Sequence, residues 1–291
     1  MGENNIAEKG YLHEDFRLFH DTDALGTDTV AHFHTFYKVT FVKYGKGSYM
    51  IDGRLYDIES GDVILVGVNV PHQPFFETGE LYDRYTLYIS QGMLEEFDIP
   101  ECHIYELFTS ASGNVIRPDG NAAERFAGML ERIDTETHSS SYASHLAARL
   151  GVIRLLIEAG RCREETSLTV PLHLPEDDPM LNILRYINEN LDKSLSTEDI
   201  SQHFRMSGEE MMTAFKDAFG CRMNEYIVNR RLTRAHEMLL RGEDPSEACY
   251  RCGYDSYSVF TKDYHDKYGV SPRRISEEGT EYGALTEFLP E

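Results

Sequence analysis

The feature that most constrains this sequence is a loose internal repeat near its C-terminal end. The first unit reads Ile200-Ser201-Gln202-His203-Phe204-Arg205-Met206-Ser207, followed by a helical stretch from Gly208 to Phe219. The second reads Ala248-Cys249-Tyr250-Arg251-Cys252-Gly253-Tyr254, then a helix from about Ser256 to Tyr268. Each unit sets a small residue, Ser201 or Cys249, where two helices must approach. A tight turn follows, and a serine heads the second helix. That is the grammar of a helix-turn-helix. Ser207 and Ser256 stand 49 residues apart. Between them the spacing of Tyr226, Ile227, Leu232, Ala235 and Leu239 predicts one long helix with a single inner stripe.

Helix punctuation continues through this region. Ser196 with Asp199 has the form of a capping box in its shorter acidic version. Asp244-Pro245 supplies an N-cap and then proline at the first helical position. Gly220, Gly253 and Gly269 fall where helices or turns should end. From Met180 onward the expectation is therefore all-helical.

The front half follows another rule. From about Asp15 to Ile89, runs rich in Val, Ile, Tyr and Phe alternate with glycine turns at Tyr44-Gly45-Lys46-Gly47, Asp52-Gly53-Arg54 and Ser60-Gly61-Asp62. Asp-Gly between β-prone runs signals a hairpin, because both central positions need positive φ. Short strands at this spacing predict a small barrel or sandwich. From Asn121 to Gly160 the pattern turns helical, with stripes Phe126, Met129, Leu130, Ile133 and Leu146, Leu150, Ile153, Leu156, Ile157, broken at Ser139-Ser140-Ser141. Arg161 to Pro179 is polar, acidic and proline-containing and reads as a linker. The division is thus residues 1–160, a linker over 161–179, a helical domain over 180–275 and an acidic tail over 276–291.

Charge bears on what the helical domain can bind. The chain carries a formal net charge of −22, which repels nucleic acid over long range. Asp192 to Ile275 nonetheless holds 13 Lys and Arg against 14 Asp and Glu, leaving −21 to the rest, with five glutamates and no basic residue after Ile275. Met1–Gly10 lacks the basic and apolar pattern of a secretory leader, and apolar runs such as Val63–Val68 are too short to span a bilayer. Five cysteines without a disulfide framework fit a reducing compartment, so the expected location is the cytoplasm.

Several spaced motifs then point one way. Arg231-Leu232-x-x-Ala235-x-x-x-Leu239 resembles the linker helix of AraC/XylS-family regulators. Gly253-Tyr254-Asp255-Ser256-x-Ser258-x-Phe260-x-Lys262-x-Tyr264, followed by Tyr268-Gly269-Val270-Ser271-Pro272, resembles that family's signature. The resemblance covers roughly Leu181 to Ile275. It implies an α+β two-domain protein: an N-terminal cupin-like β-barrel with two helices that senses a small molecule and dimerises, and a C-terminal all-α double helix-turn-helix that binds double-stranded DNA. It implies a transcription regulator and no enzyme. By position, the base-facing residues would be Ser258, Val259 and Lys262 in the second recognition helix and Glu209, Met212 and Thr213 in the first. The first set departs from the larger polar or basic residues common in the family. Glu209 and Glu210 at a helix N-terminus also suit capping and the helix dipole.

In the barrel, His32-x-His34, Gly61-Asp62 and Pro71-His72 resemble the cupin pattern of the family's sensor domains. Strand periodicity puts His32 and His34 on one face with Lys38. His32, His34, Lys38 and His72 are the candidate ligand-binding residues. Metal cupins complete their site with a glutamate shortly after the second histidine, and the nearest residue here is Lys38, a cation. Three readings stay open: a polar pocket for a small molecule, a divalent metal on His32, His34 and His72, or histidines that only satisfy hydrogen bonds. Lys38 would suit an anionic ligand, and the many tyrosines sugars or aromatics. Cys249-x-x-Cys252 has no second pair and coincides with small core positions, which favours buried thiols. No Ser-His-Asp order, Walker loop or Gly-x-Gly-x-x-Gly occurs. The competing class is a metal-dependent cupin enzyme or sensor whose helical domain no longer binds DNA.

Overall fold

A computed structural model describes Leu12 and residues 14–24, 31–76, 81–99, 102–108, 113–165, 179–219 and 221–277. The chain divides into two compact units, with the break between Leu174 and Pro175 apart from the short stretch Ile99–Cys102. No helix among the described residues is long and apolar enough to cross a membrane.

The first unit is built on strands β1 (Phe16–Ala24), β2 (Tyr37–Tyr44), β3 (Lys46–Ile51), β4 (Arg54–Glu59), β5 (Val63–Val66), β6 (His72–Phe76), β7 (Leu81–Ile89) and β8 (Val115–Ile116). They form two antiparallel sheets, ordered β1-β7-β2-β5-β8 and β4-β3-β6. The turn chemistry works as the sequence requires. Asp52 and Gly53 take φ of 53° and 75° between β3 and β4, and Gly45 and Gly61 also have positive φ.

Alternation along β2 organises the core. Lys38, Thr40 and Val42 face inward, where Val42 joins a buried cluster with Tyr49, Ile51, Tyr56, Ile64 and Val66. Tyr37 and Phe41 point the other way, onto Phe108 and Phe126, with ring centroids 4.6 Å and 6.4 Å apart. Phe126 belongs to helix α2 (Gly120–Thr137), which is capped by Asp119 accepting from the Ala122 amide at 2.7 Å. A short helix α1 (Gln91–Glu96), a 3-10 turn (Ile104–Phe108) and β8 were not expected from the sequence.

Helix α3 (Ser144–Glu165) corrects two expectations. It runs five residues into the stretch read as linker, because Cys162 is buried and Arg163 donates to the carbonyls of Leu107 and Gly113. Its buried face only partly overlaps the one read from the sequence. Ala148, Val152, Ile153, Leu155, Leu156, Ala159 and Cys162 are buried, so Ile153 and Leu156 of the expected stripe are inside while Leu146, Leu150 and Ile157 are exposed. Both stripes repeat at helical spacing. The inner one wins because small residues let α3 close on α2: a β-carbon at Gly151 would lie 2.9 Å from Ile133.

The second unit contains α4 (Pro179–Glu189), α5 (Thr197–Phe204), α6 (Gly208–Phe219), α7 (Met223–Leu240), α8 (Pro245–Arg251) and α9 (Tyr257–Tyr268). Residues 272–277 add a helical turn whose Ser276 is buried and donates to the Glu243 carbonyl at 2.8 Å, so the helical domain runs past the expected limit at Ile275. Gly220 and the tail beyond residue 277 lie outside the described residues. Each cap anticipated around α5 and α8 is present, Ser196 with Asp199 as a full capping box and Asp244 ahead of Pro245. Tyr226, Ile227, Leu232, Ala235 and Leu239 are all buried on α7. Lys267 fastens α9 to this helix, donating to Asn229 O at 3.1 Å and Thr233 Oγ1 at 3.3 Å. Burial, with Arg230 nearby, lowers its ammonium to a pKa of about 7.

Candidate functional site

The barrel gathers His32, His34, Lys38 and His72 into one cluster, though not by the route the strand pattern suggested. Residues 33–36 are not a strand; β2 begins at Tyr37. The histidines converge because His32 forms an isolated antiparallel bridge with His72, amide to carbonyl at 3.2 Å and 2.9 Å. Ring centroids of His32 and His34 lie 4.4 Å and 4.8 Å from His72. His34, Lys38 and His72 are buried and His32 is exposed at the edge.

The hydrogen bonds fix the tautomers. His34 Nδ1 lies 2.7 Å from Phe36 O and His72 Nδ1 3.0 Å from Val70 O. A carbonyl only accepts, so Nδ1 carries the proton in both rings and Nε2 is left with a lone pair. His72 Nε2 accepts from Lys38 Nζ at 3.4 Å, and Lys38 also donates to Tyr49 Oη at 3.0 Å. Burial, together with the charge of Lys38, holds both imidazoles well below the ordinary histidine pKa. The cluster is therefore two neutral acceptors around one ammonium.

That arrangement suits an anion better than a divalent metal. A metal would need the Nε2 lone pairs, and the ammonium of Lys38 is aimed at one of them. Among the described residues no group of three His, Cys, Asp or Glu is placed to hold a metal ion. Tyr49, Phe36 and Tyr88 pack around the cluster; Phe36 stacks on His34 at 4.1 Å and meets Tyr88 in a tilted contact at 4.4 Å. The sequence signalled tyrosine abundance but not Tyr49, which reaches the site through the register of β3 with β6.

In the helical unit all six carried-over residues are exposed: Glu209, Met212 and Thr213 on α6, and Ser258, Val259 and Lys262 on α9. The two glutamates separate in role. Glu210 closes a capping box, its carboxylate 2.7 Å from Ser207 Oγ and its amide donating back at 3.2 Å. Glu209 takes no part in that cap. Lys262 pairs with Asp266 at 2.9 Å across one helical turn. Arg205, which the motif reading passed over, is exposed in the turn before α6 at φ 54°. Its αL conformation ends α5, the Arg205 amide donating to Gln202 O and Ser201 O. Cys249 and Cys252 are buried in the core of this unit, where burial pushes their thiols up to about 11 and about 12.

Residues 19–151 match the AraC-like ligand binding domain and residues 200–278 a helix-turn-helix domain. The HTH-type transcriptional regulator YfiF of Bacillus subtilis is 24% identical over 84% of this chain and 78% of its own. The HTH-type transcriptional activator RhaS of Klebsiella pneumoniae is 21% identical over 89% of this chain and 97% of its own. The crystal structure of ToxT from Vibrio cholerae O395 aligns with 91% of this chain and 98% of its own, at 13% identity and a TM-score of 0.35.

Proposed function

Because this chain belongs to the AraC family of DNA-binding transcription regulators, with a ligand-binding domain ahead of its helix-turn-helix domain, we propose that it is a cytoplasmic dimer whose α6 and α9 read DNA and whose barrel takes up a small anionic effector. The observation that carries the effector reading is the buried ammonium of Lys38 between His72 and Tyr49.

The second helical unit supports reading by α9 more strongly than by α6. By the repeat, Ser258, Val259 and Lys262 correspond to Glu209, Glu210 and Thr213, so of these paired positions only Lys262 on α9 is cationic. Binding of full-length protein to mixed-sequence duplex DNA tests this across salt. Lys262→Ala should weaken binding and reduce the salt slope by about one if the ammonium meets a phosphate. Glu209→Gln should bind as well as wild type or tighter at low salt, the gain fading as screening grows. A Lys262→Ala variant that binds like wild type at every salt would remove α9 from the interface.

The dimer rests on the outer stripe of α3. Leu146, Leu150 and Ile157 are exposed, and Leu150 borders a groove of about 630 Å³ lined also by Met129 and Ile133 and by the charged Arg125, Arg132, Glu136 and Arg154. Exposed apolar residues rimmed by charged ones mark an interaction surface. The full chain should sediment as a dimer at micromolar concentration and Leu150→Glu as a monomer. A wild-type monomer would contradict the assignment.

A further inference from the structure

We propose that the effector is a hydroxycarboxylate: its carboxylate is held by Lys38 and Tyr49 while one of its hydroxyls donates to Nε2 of His34. This rests on the anionic-effector reading and goes further by naming the second group the ligand carries. The observation behind it is an acceptor with no donor. His34 Nε2 is buried and makes no hydrogen bond, although His34 itself is only 7% exposed and its other nitrogen is committed to Phe36 O at 2.7 Å. A buried lone pair without a donor is unfavourable, and a native structure keeps one where something else supplies the partner.

The neighbouring atoms decide what that partner is. His72 has the same tautomer, but its Nε2 receives Lys38 at 3.4 Å, whereas the Nε2 of His34 does not. The centroids of the two rings are 4.8 Å apart, so the acceptor of His34 and the ammonium that meets His72 belong to one cluster. A ligand ammonium would satisfy His34 but would be repelled by Lys38. A simple carboxylate would engage Lys38 and leave His34 unmet. A neutral polyol would satisfy His34 without using the charge. A hydroxyl on a carboxylate-bearing skeleton meets both demands. Thr40 Oγ1 strengthens the case: it is also buried without a hydrogen bond, and it lies on the same inward face of β2 as Lys38. Burial and the charge of Lys38 keep His34 neutral, so its acceptor persists through the physiological pH range.

Two matched sets of probes test the inference by thermal melting of the full-length protein. One is quinate, cyclohexanecarboxylate and myo-inositol; the other is gluconate, hexanoate and sorbitol. At equal millimolar concentration, at least one hydroxy acid should raise the melting temperature by a few degrees, more than its deoxy acid or its neutral polyol. His34→Phe should cut that shift to the level of the deoxy acid, and His34→Gln, which restores an acceptor, should recover part of it. Lys38→Met should abolish the shift for both kinds of acid. Deoxy acids that stabilise as well as hydroxy acids would overturn the hydroxycarboxylate assignment while leaving an anionic effector in place. If no acid of either kind shifts the wild type, both readings fall.

Discussion

Gly253→Ala is expected to cost the helical domain about 3–5 kcal/mol. Gly253 has φ of +85°, a conformation that a β-carbon disfavours, and the strain of leaving glycine there is only part of the cost. An added β-carbon would lie 2.1 Å from Leu191 O and 2.9 Å from Arg231 Nη2. That carbonyl cannot simply move away. Arg231 holds it through Nε at 3.0 Å while Nη2 holds Lys193 O at 2.6 Å. Gly253, in the turn between α8 and α9, thus lets that turn close on the segment after α4, whose Leu191 carbonyl is held by Arg231 of α7. Gly269→Ala is the internal control: φ there is +72°, yet nothing lies within 4 Å of the added carbon, so about 1 kcal/mol is expected. Chemical denaturation of the two variants gives the comparison. Equal losses would show that the close contact contributes nothing.

Arg117→Met should destabilise the first unit by about 3 kcal/mol, the lower end of the range for stranding a buried charge. Asp62 has no exposed side-chain surface, and Arg117 grips both of its oxygens, Nε to Oδ1 and Nη2 to Oδ2, each at 2.9 Å. Asp62 also accepts the Glu59 amide at 2.8 Å, which shapes the turn into β5, the strand paired with β2 and Lys38. The guanidinium is 38% exposed, so solvent softens its own part of the loss. Removing both partners as Arg117→Met with Asp62→Asn should recover stability relative to Arg117→Met alone. A double variant no more stable than the single one would mean the carboxylate is not the origin of the cost.

Local chemistry carried most of the architecture into the sequence. Serine caps, Asp-Gly turns and the two helix-turn-helix periods act over three to five residues, and each appears where the residues demanded it. Tertiary choices were less legible. Either stripe of α3 satisfied helical spacing, and only the small residues Ala148, Gly151 and Ala159 decided which one faces α2. His32 and His34 resembled part of a strand, yet their convergence on His72 comes from a single bridge that strand alternation does not encode. Lys38 was visible as a cation among histidines. That it faces His72 and Tyr49, and leaves the acceptor of His34 unmet, depends on the register of three strands.

The central claim is that α6 and α9 of one chain read two adjacent segments of duplex DNA. Selection from a random duplex pool by the full-length protein at physiological salt tests it most directly, with Lys262→Ala run in parallel. Enrichment of two short segments about one helical turn apart is the expected result; Lys262→Ala should relax one segment by a factor on the order of ten if the ammonium meets a base, and weaken binding to all sequences alike if it meets a phosphate. No enrichment over the starting pool, or enrichment of a single segment only, would contradict it.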